Sequence, residues 1–215
     1  MSSFRTSART AGVAVRAMLV LTLLLGVGYT FAFTGLGQLL FPWQANGSKV
    51  DGAGAPTGGW AGGGEAVGSA LIGQSFTDAD GNALPQYFQP RASAAGDGYD
   101  PASSGGSNLG PENPDLVAAI AERREAIAAR EQVPAEKVPA DAVTASASGL
   151  DPDISPAYAE LQVARVAEAR GLPAADVRKV VESKMQTRDL GYLGEPRVNV
   201  LQLNLALDAL AKESR

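Results

Sequence analysis

The sequence predicts an α+β extracytoplasmic domain carried on a single N-terminal transmembrane helix. Three observations predict it. No charged residue lies between Arg16 and Lys49, and Ala17–Phe41 is apolar almost throughout. The C-terminal half alternates helical apolar spacing with strong helix start signals. Between these parts, Ala66–Phe76 (AVGSALIGQSF) mixes β-branched and small residues in the manner of a strand.

The apolar run exceeds the about 20 residues that a helix needs to cross the hydrocarbon core. Arg5, Arg9 and Arg16 precede it with no acidic residue among them. The positive-inside bias then keeps the N-terminus cytoplasmic and puts the rest of the chain outside. Phe41 and Trp43 suit the outer interfacial belt. A cleaved signal peptide, with Thr30 and Ala32 before the cut, is the alternative, but the apolar run continues past Ala32. This gives residues 1–12 as a cytoplasmic N-terminus, 13–40 as the membrane helix, 41–65 as a motif and glycine-rich linker, and 66–215 as the outer domain.

Composition excludes several function classes. The chain has 215 residues, a net charge of -5, and neither cysteine nor histidine. Disulfides, thiolate chemistry, cysteine zinc sites and an imidazole base are therefore absent. The acidic balance argues against a nucleic-acid partner, which needs a clustered positive field. A carboxylate-only enzyme is still open.

After the span, Asp51–Gly64 (DGAGAPTGGWAGGG) is too glycine-rich to pack and reads as a flexible linker or loop, with Trp60 a candidate to dock. Asp78–Pro85 reads as a turn tightest at Asp80-Gly81. Ser104–Pro114 (SGGSNLGPENP) has the glycines of a phosphate loop but not the Gly-Lys that closes one. Its end fits a helix entrance better: Asn113 as N-cap, Pro114 at the first helical position and Asp115 on the positive dipole end. Leu116, Ile120 and Ile127 then share a face on a helix to about Arg130.

Val143–Pro156 (VTASASGLDPDISP) gathers hydroxyls and two aspartates. Ser155 before Pro156 is an N-cap, Gly171 a left-handed stop, and Pro156–Arg170 the helix between them. Asp151 and Asp153 bracket Pro152 in a turn. A calcium loop needs more oxygen donors at set spacings, and a glycosidase pair needs a set spatial separation. Gln162 and Arg165, three apart, present side by side on this helix, either as a solvated face or as a partner contact. Ala174–Met185 places Val177, Val180, Val181 and Met185 on one side. In the last segment Asn199 with Gln202 forms a capping box, Val198 can staple against Leu203, and Val200, Leu203, Leu207 and Leu210 mark a buried helix face.

The ordered motifs FPWQANGS (Phe41–Ser48), GSALIGQSF (Gly68–Phe76), YFQPRASA (Tyr87–Ala94), SGGSNLGPENP, VTASASGLDPDISP, QVARVAEARGL (Gln162–Leu172) and LGEPRVNVLQLNLALD (Leu193–Asp208) resemble the C subunit of the Kdp-type potassium-transporting ATPase. The segments around Gly52–Gly64 and Asp80 look like insertions, and proline precedes Arg91 where the family has it after. The resemblance implies a bacterial inner-membrane complex with a potassium-channel-like subunit and a P-type ATPase subunit. There this chain is an accessory assembly subunit and a catalytic chaperone that raises the pump's ATP affinity. It implies no catalytic residue and no directly bound cofactor here, ATP and K+ being handled by the complex. The candidate partner-contact or family-motif residues are Gln44, Asn46, Gly47, Ser48, Gly105, Gly106, Ser107, Asn108, Asp151, Ser155, Gln162 and Arg165. The competing expectation is an anchored extracytoplasmic hydrolase using Asp151, Asp153 or Glu160.

Overall fold

A computed structural model describes residues 2–58 and 62–213. Trp60 lies outside the described residues. The chain opens with a continuous helical rod: α1 (Ser2–Leu21), a π-helical stretch (Thr22–Tyr29) and α2 (Thr30–Leu40). Within it, Ser7–Leu40 is long and apolar enough to cross a membrane, and none of its most apolar stretch is buried against the protein. The π-helical stretch contains Gly26 and Gly28; hydropathy alone does not reveal it. The rod breaks at Phe41 and a single turn, α3 (Pro42–Ala45), follows.

Among the described residues, two small antiparallel sheets carry the domain. β1 (Lys49–Asp51) pairs with β2 (Ala66–Ser69), with Val50 opposite Gly68. β3 (Asp153–Ile154), β5 (Arg197–Asn199) and β4 (Met185–Gln186) form the second sheet with β5 central. Among the described residues the helices of the domain are α4 (Pro114–Glu131), α5 (Ala140–Val143), α6 (Pro156–Arg170), α7 (Ala174–Lys184) and α8 (Val200–Glu213). Tyr158, Val163 and Val166 of α6, Val177 and Val181 of α7, Val198 of β5 and Leu203 and Leu207 of α8 close one core around Phe88.

The expected caps are in place. Asn113 accepts the Asp115 N–H at 2.8 Å, and Ser155 Oγ accepts the Tyr158 N–H at 3.0 Å. Gly171 ends α6 in the left-handed region, and Asn199 Oδ1 accepts the Gln202 N–H at 3.0 Å. Each satisfies a backbone group that the helix end would otherwise leave without a partner.

One expectation is narrowed and two need correction. Of the linker and the loop that the sequence allows, the glycine-rich segment is the loop, connecting β1 to β2. Asp51 Oδ1 accepts the Ala53 and Ala55 N–H groups, and Thr57 Oγ reaches the Gly62 and Gly64 carbonyls. The strand at Ala66–Phe76 stops at Ser69, because Ser69 Oγ caps the Leu71 N–H and turns the chain. Met185 does not join the buried side of α7. The helix ends at Lys184, Met185 goes extended to pair with Val198, and the residue is 39% exposed.

Candidate functional site

The most organised polar chemistry among the described residues surrounds an irregular stretch, Pro85–Gln89, which enters the core at Phe88 and Gln89 without a strand partner. Buried backbone groups must be paired, and here side chains do it. Arg165 Nη1 donates to the Pro85 carbonyl at 2.6 Å and the Tyr87 carbonyl at 3.0 Å. Arg170 Nε donates to the Gln86 carbonyl at 2.6 Å. Asn204 accepts the Phe88 N–H at 2.9 Å and donates to its carbonyl at 3.0 Å. Gln162 does the same for Gln89, at 2.7 and 3.1 Å. Two side-chain amides thus imitate a neighbouring strand, while two guanidinium groups cover the remaining carbonyls. All five carbonyls from Pro85 to Gln89 are satisfied by residues of α6 and α8.

The orientation of this clamp is fixed from behind. Arg165 Nη2 donates to Gln162 Oε1 at 2.8 Å, which sets which end of the Gln162 amide accepts. Arg165 Nε pairs with Glu131 at 2.9 Å, and Arg130 Nε holds the other Glu131 oxygen at 2.7 Å. The Glu131 side chain is fully buried. Arg130 also donates to the Tyr158 hydroxyl at 2.9 Å. Burial pushes the Tyr158 phenol up from its ordinary value, against the opposing pull of Arg130. Arg170 lies 2.9 Å from Asp208 and 5.0 Å from the centre of the Tyr87 ring.

Gln162 and Arg165 are therefore neither a solvated face nor free for a partner: Gln162 is completely buried and the Arg165 side chain 11% exposed. Their spacing of three, taken from the sequence as surface adjacency, aims both into the core.

Val143–Pro156 forms a second polar centre. Arg91 Nη1 pairs with Asp151 at 2.7 Å, and its Nη2 donates to the Thr144 carbonyl at 3.2 Å. Asp151 Oδ1 accepts the Asp153 N–H at 3.0 Å, and Arg197 pairs with Asp153 at 3.3 Å. Burial, then the adjacent Asp151 charge, push the Asp153 carboxyl above its ordinary value. Ser155 donates to Asp141 at 2.8 Å while it caps α6. Tyr99 donates to the Arg91 carbonyl at 2.8 Å, with its phenol raised by burial and by Asp151. The third carboxylate of the hydrolase expectation, Glu160, forms an exposed pair with Arg178 at 2.6 Å. Each of the three candidate carboxylates is engaged by an arginine.

Ser104–Gly110 packs along this loop. Ser104 Oγ and Gly105 N–H both donate to the Ser148 carbonyl, at 2.9 Å each. A side chain at Gly106 would meet the Ala147 carbonyl at 2.9 Å. Ser107 and Asn108 are exposed, Asn108 in the left-handed region. The first two glycines thus serve close loop packing. A cleft of about 290 Å³ beside α4 carries Arg91, Arg123 and Arg130. Their guanidinium groups already reach Asp151, the Val143 carbonyl and Glu131.

FPWQANGS builds the elbow between rod and domain. Asn46 Nδ2 donates to Gln38 Oε1 at 2.9 Å and to the Pro42 carbonyl at 2.6 Å, folding the turn back on the end of α2. Gly47 and Ser48 both take positive φ, and Ser48 is buried. Gln44 is exposed and offers its carbonyl to the Gly47 N–H at 3.1 Å. Sequence reasoning missed Glu131, Asn204 and Gln89. Asn204 alone left a signal, as an amide among the leucines of α8.

A family model described as K+-transporting ATPase, c chain, matches residues 11–209. This chain belongs to that family. It is 54% identical to the potassium-transporting ATPase KdpC subunit of Gemmatimonas aurantiaca over 90% of this chain and 89% of the relative. It is 50% identical to that of Beijerinckia indica, covering 89% of each. It is also 49% identical to that of Mycobacterium tuberculosis, covering 92% of this chain and 96% of the relative. Membership makes this chain an accessory subunit of a K+-transporting ATPase, with other Kdp subunits as partners.

Proposed function

We propose that this chain assembles and steadies its complex from the non-cytoplasmic side, with its domain set against the potassium-channel-like and P-type ATPase subunits. Any rise in the pump's ATP affinity then comes through those contacts, not through ATP held by this chain. The observation that carries the reading is the joining of an apolar rod to a domain whose glycine loop and carboxylates are occupied by internal bonds. Arg9 and Arg16 before the apolar run favour a cytoplasmic N-terminus. The catalytic-chaperone role enters as a property implied by the family.

The orientation is tested by fusing a reporter that is active only after export to the C-terminus. Activity supports the reading. An inactive export reporter, together with an active cytoplasmic one, would place the domain beside ATP and reopen direct nucleotide binding.

A further inference from the structure

Beside the elbow, the turn Ser69–Ile72 projects large apolar side chains that the fold does not cover. Leu71 is 63% exposed and Ile72 36%, with Val67 nearby on β2 at 45%. The turn is held on both sides. Gly68 packs so closely that an added Cβ would meet Leu201 at 2.7 Å, and the Gly73 N–H donates to the Leu150 carbonyl at 2.9 Å. Asn199 Nδ2 holds the Ala70 carbonyl at 2.9 Å. A turn so firmly anchored presents its apolar tip as a fixed feature.

Its position follows from hydrogen bonds to the elbow. Ser69 Oγ donates to the Gly47 carbonyl at 2.7 Å, and the Ala70 N–H to the Ser48 carbonyl at 2.9 Å. Asn46, next in the chain to Gly47, is bonded to Gln38 inside the last turns of α2. The turn therefore stands level with the end of the apolar rod. From Ala17 to Leu40 the rod extends at most ~36 Å, since the α-helical rise is ~1.5 Å per residue and the π-helical stretch Thr22–Tyr29 rises less, against a hydrocarbon core of ~30 Å. Its end thus reaches the headgroup boundary. Trp43 at the elbow suits that depth. Lys49, the first charge after the apolar run and paired with Ser69 across β1–β2, is exposed where lipid phosphates lie.

We infer that Leu71 and Ile72 are a second membrane contact, seating the domain on the lipid surface from which it emerges. Two contacts, rod and turn, would restrict tilting of the domain about the elbow. The inference rests on reading the rod as a membrane span, and holds for either orientation.

The chain has no cysteine, so a single substitution places one spin label on it, and the other subunits are supplied in cysteine-free form to remove background. Leu71→Cys, Ile72→Cys, Leu24→Cys and Val117→Cys are labelled in the assembled complex, in nanodiscs of phosphatidylethanolamine and phosphatidylglycerol. Collision with oxygen, which favours lipid, is compared with collision with a water-soluble nickel chelate. The expected result is an oxygen-to-nickel ratio at 71 and 72 several-fold above that at Val117, and below that at Leu24. A ratio at 71 and 72 equal to that at Val117 overturns the contact while Leu24 still reports lipid. Exclusion of both reagents at 71 and 72 also overturns it, in favour of another subunit covering the turn. A water-accessible Leu24 would instead remove the span itself.

Discussion

Asp153, expected in a turn but found opening strand β3, shows how a charged residue can hold a structural position without stabilising it. Burial and Asp151 raise its carboxyl, and Arg197 at 3.3 Å opposes them. The folded state then holds the Asp153 proton more tightly than the unfolded chain does. Its contribution is intact below the ordinary value of about 3.9 and is lost as pH rises through the raised folded value. Asp153→Asn carries no charge, so its melting temperature should gain on the parent chain's between pH 3.5 and 6, limits set about that ordinary value. A variant that instead loses ground with rising pH would show that the carboxylate is held by a cation or by a dominant Arg197 pair. Ser155 is the opposite case, a side chain whose bonds all favour the fold. Ser155→Ala removes the cap of α6 and its bond to Asp141, and should cost about 1 kcal/mol in denaturant unfolding.

At the scale of elements, the loops are as firmly specified as the helices. Gly149 has φ 69, and a Cβ there would approach the Ala95 nitrogen and the Gly105 carbonyl at 2.9 Å each. Gly149→Ala should therefore combine left-handed strain with overpacking, about 3 kcal/mol. Gly81, with φ 84 but nothing within 4 Å, should cost only about 1 kcal/mol as Gly81→Ala, from strain alone. Equal losses at the two sites, read from chemical denaturation midpoints, would mean that the Ser104–Gly110 and Val143–Pro156 loops do not pack as described. The helices were legible because their signals are local: Asn113-Pro114, Ser155-Pro156, Gly171 and Asn199 each act within a turn of their own position. The glycine-rich connection stays undecided between linker and loop in the sequence for the converse reason. Its order comes from the Asp51 and Thr57 side chains, which composition does not weigh. The clamp on Pro85–Gln89 joins residues more than 70 positions apart, Gln162 to Gln89, and no periodicity encodes that pairing.

For the whole molecule, the consequence is a division of labour between inside and surface. The Gln162-x-x-Arg165 pattern, open in the sequence to reading as a partner contact, is spent within the fold, whereas Gln44, Ser107 and Asn108 are exposed. The proposed function asks this chain to present a rigid surface to its complex. Its central requirement is that Arg165 hold the domain together. Removing one member of a buried pair costs about 3 kcal/mol, roughly 6–12 °C in a domain of this size. The most direct test is the melting temperature of the purified full-length chain carrying Arg165→Ala. It should fall by roughly that amount, with loss of complex recovery following from the weakened fold. An unchanged melting temperature with recovery of the complex abolished would contradict the account and make Arg165 a partner contact after all.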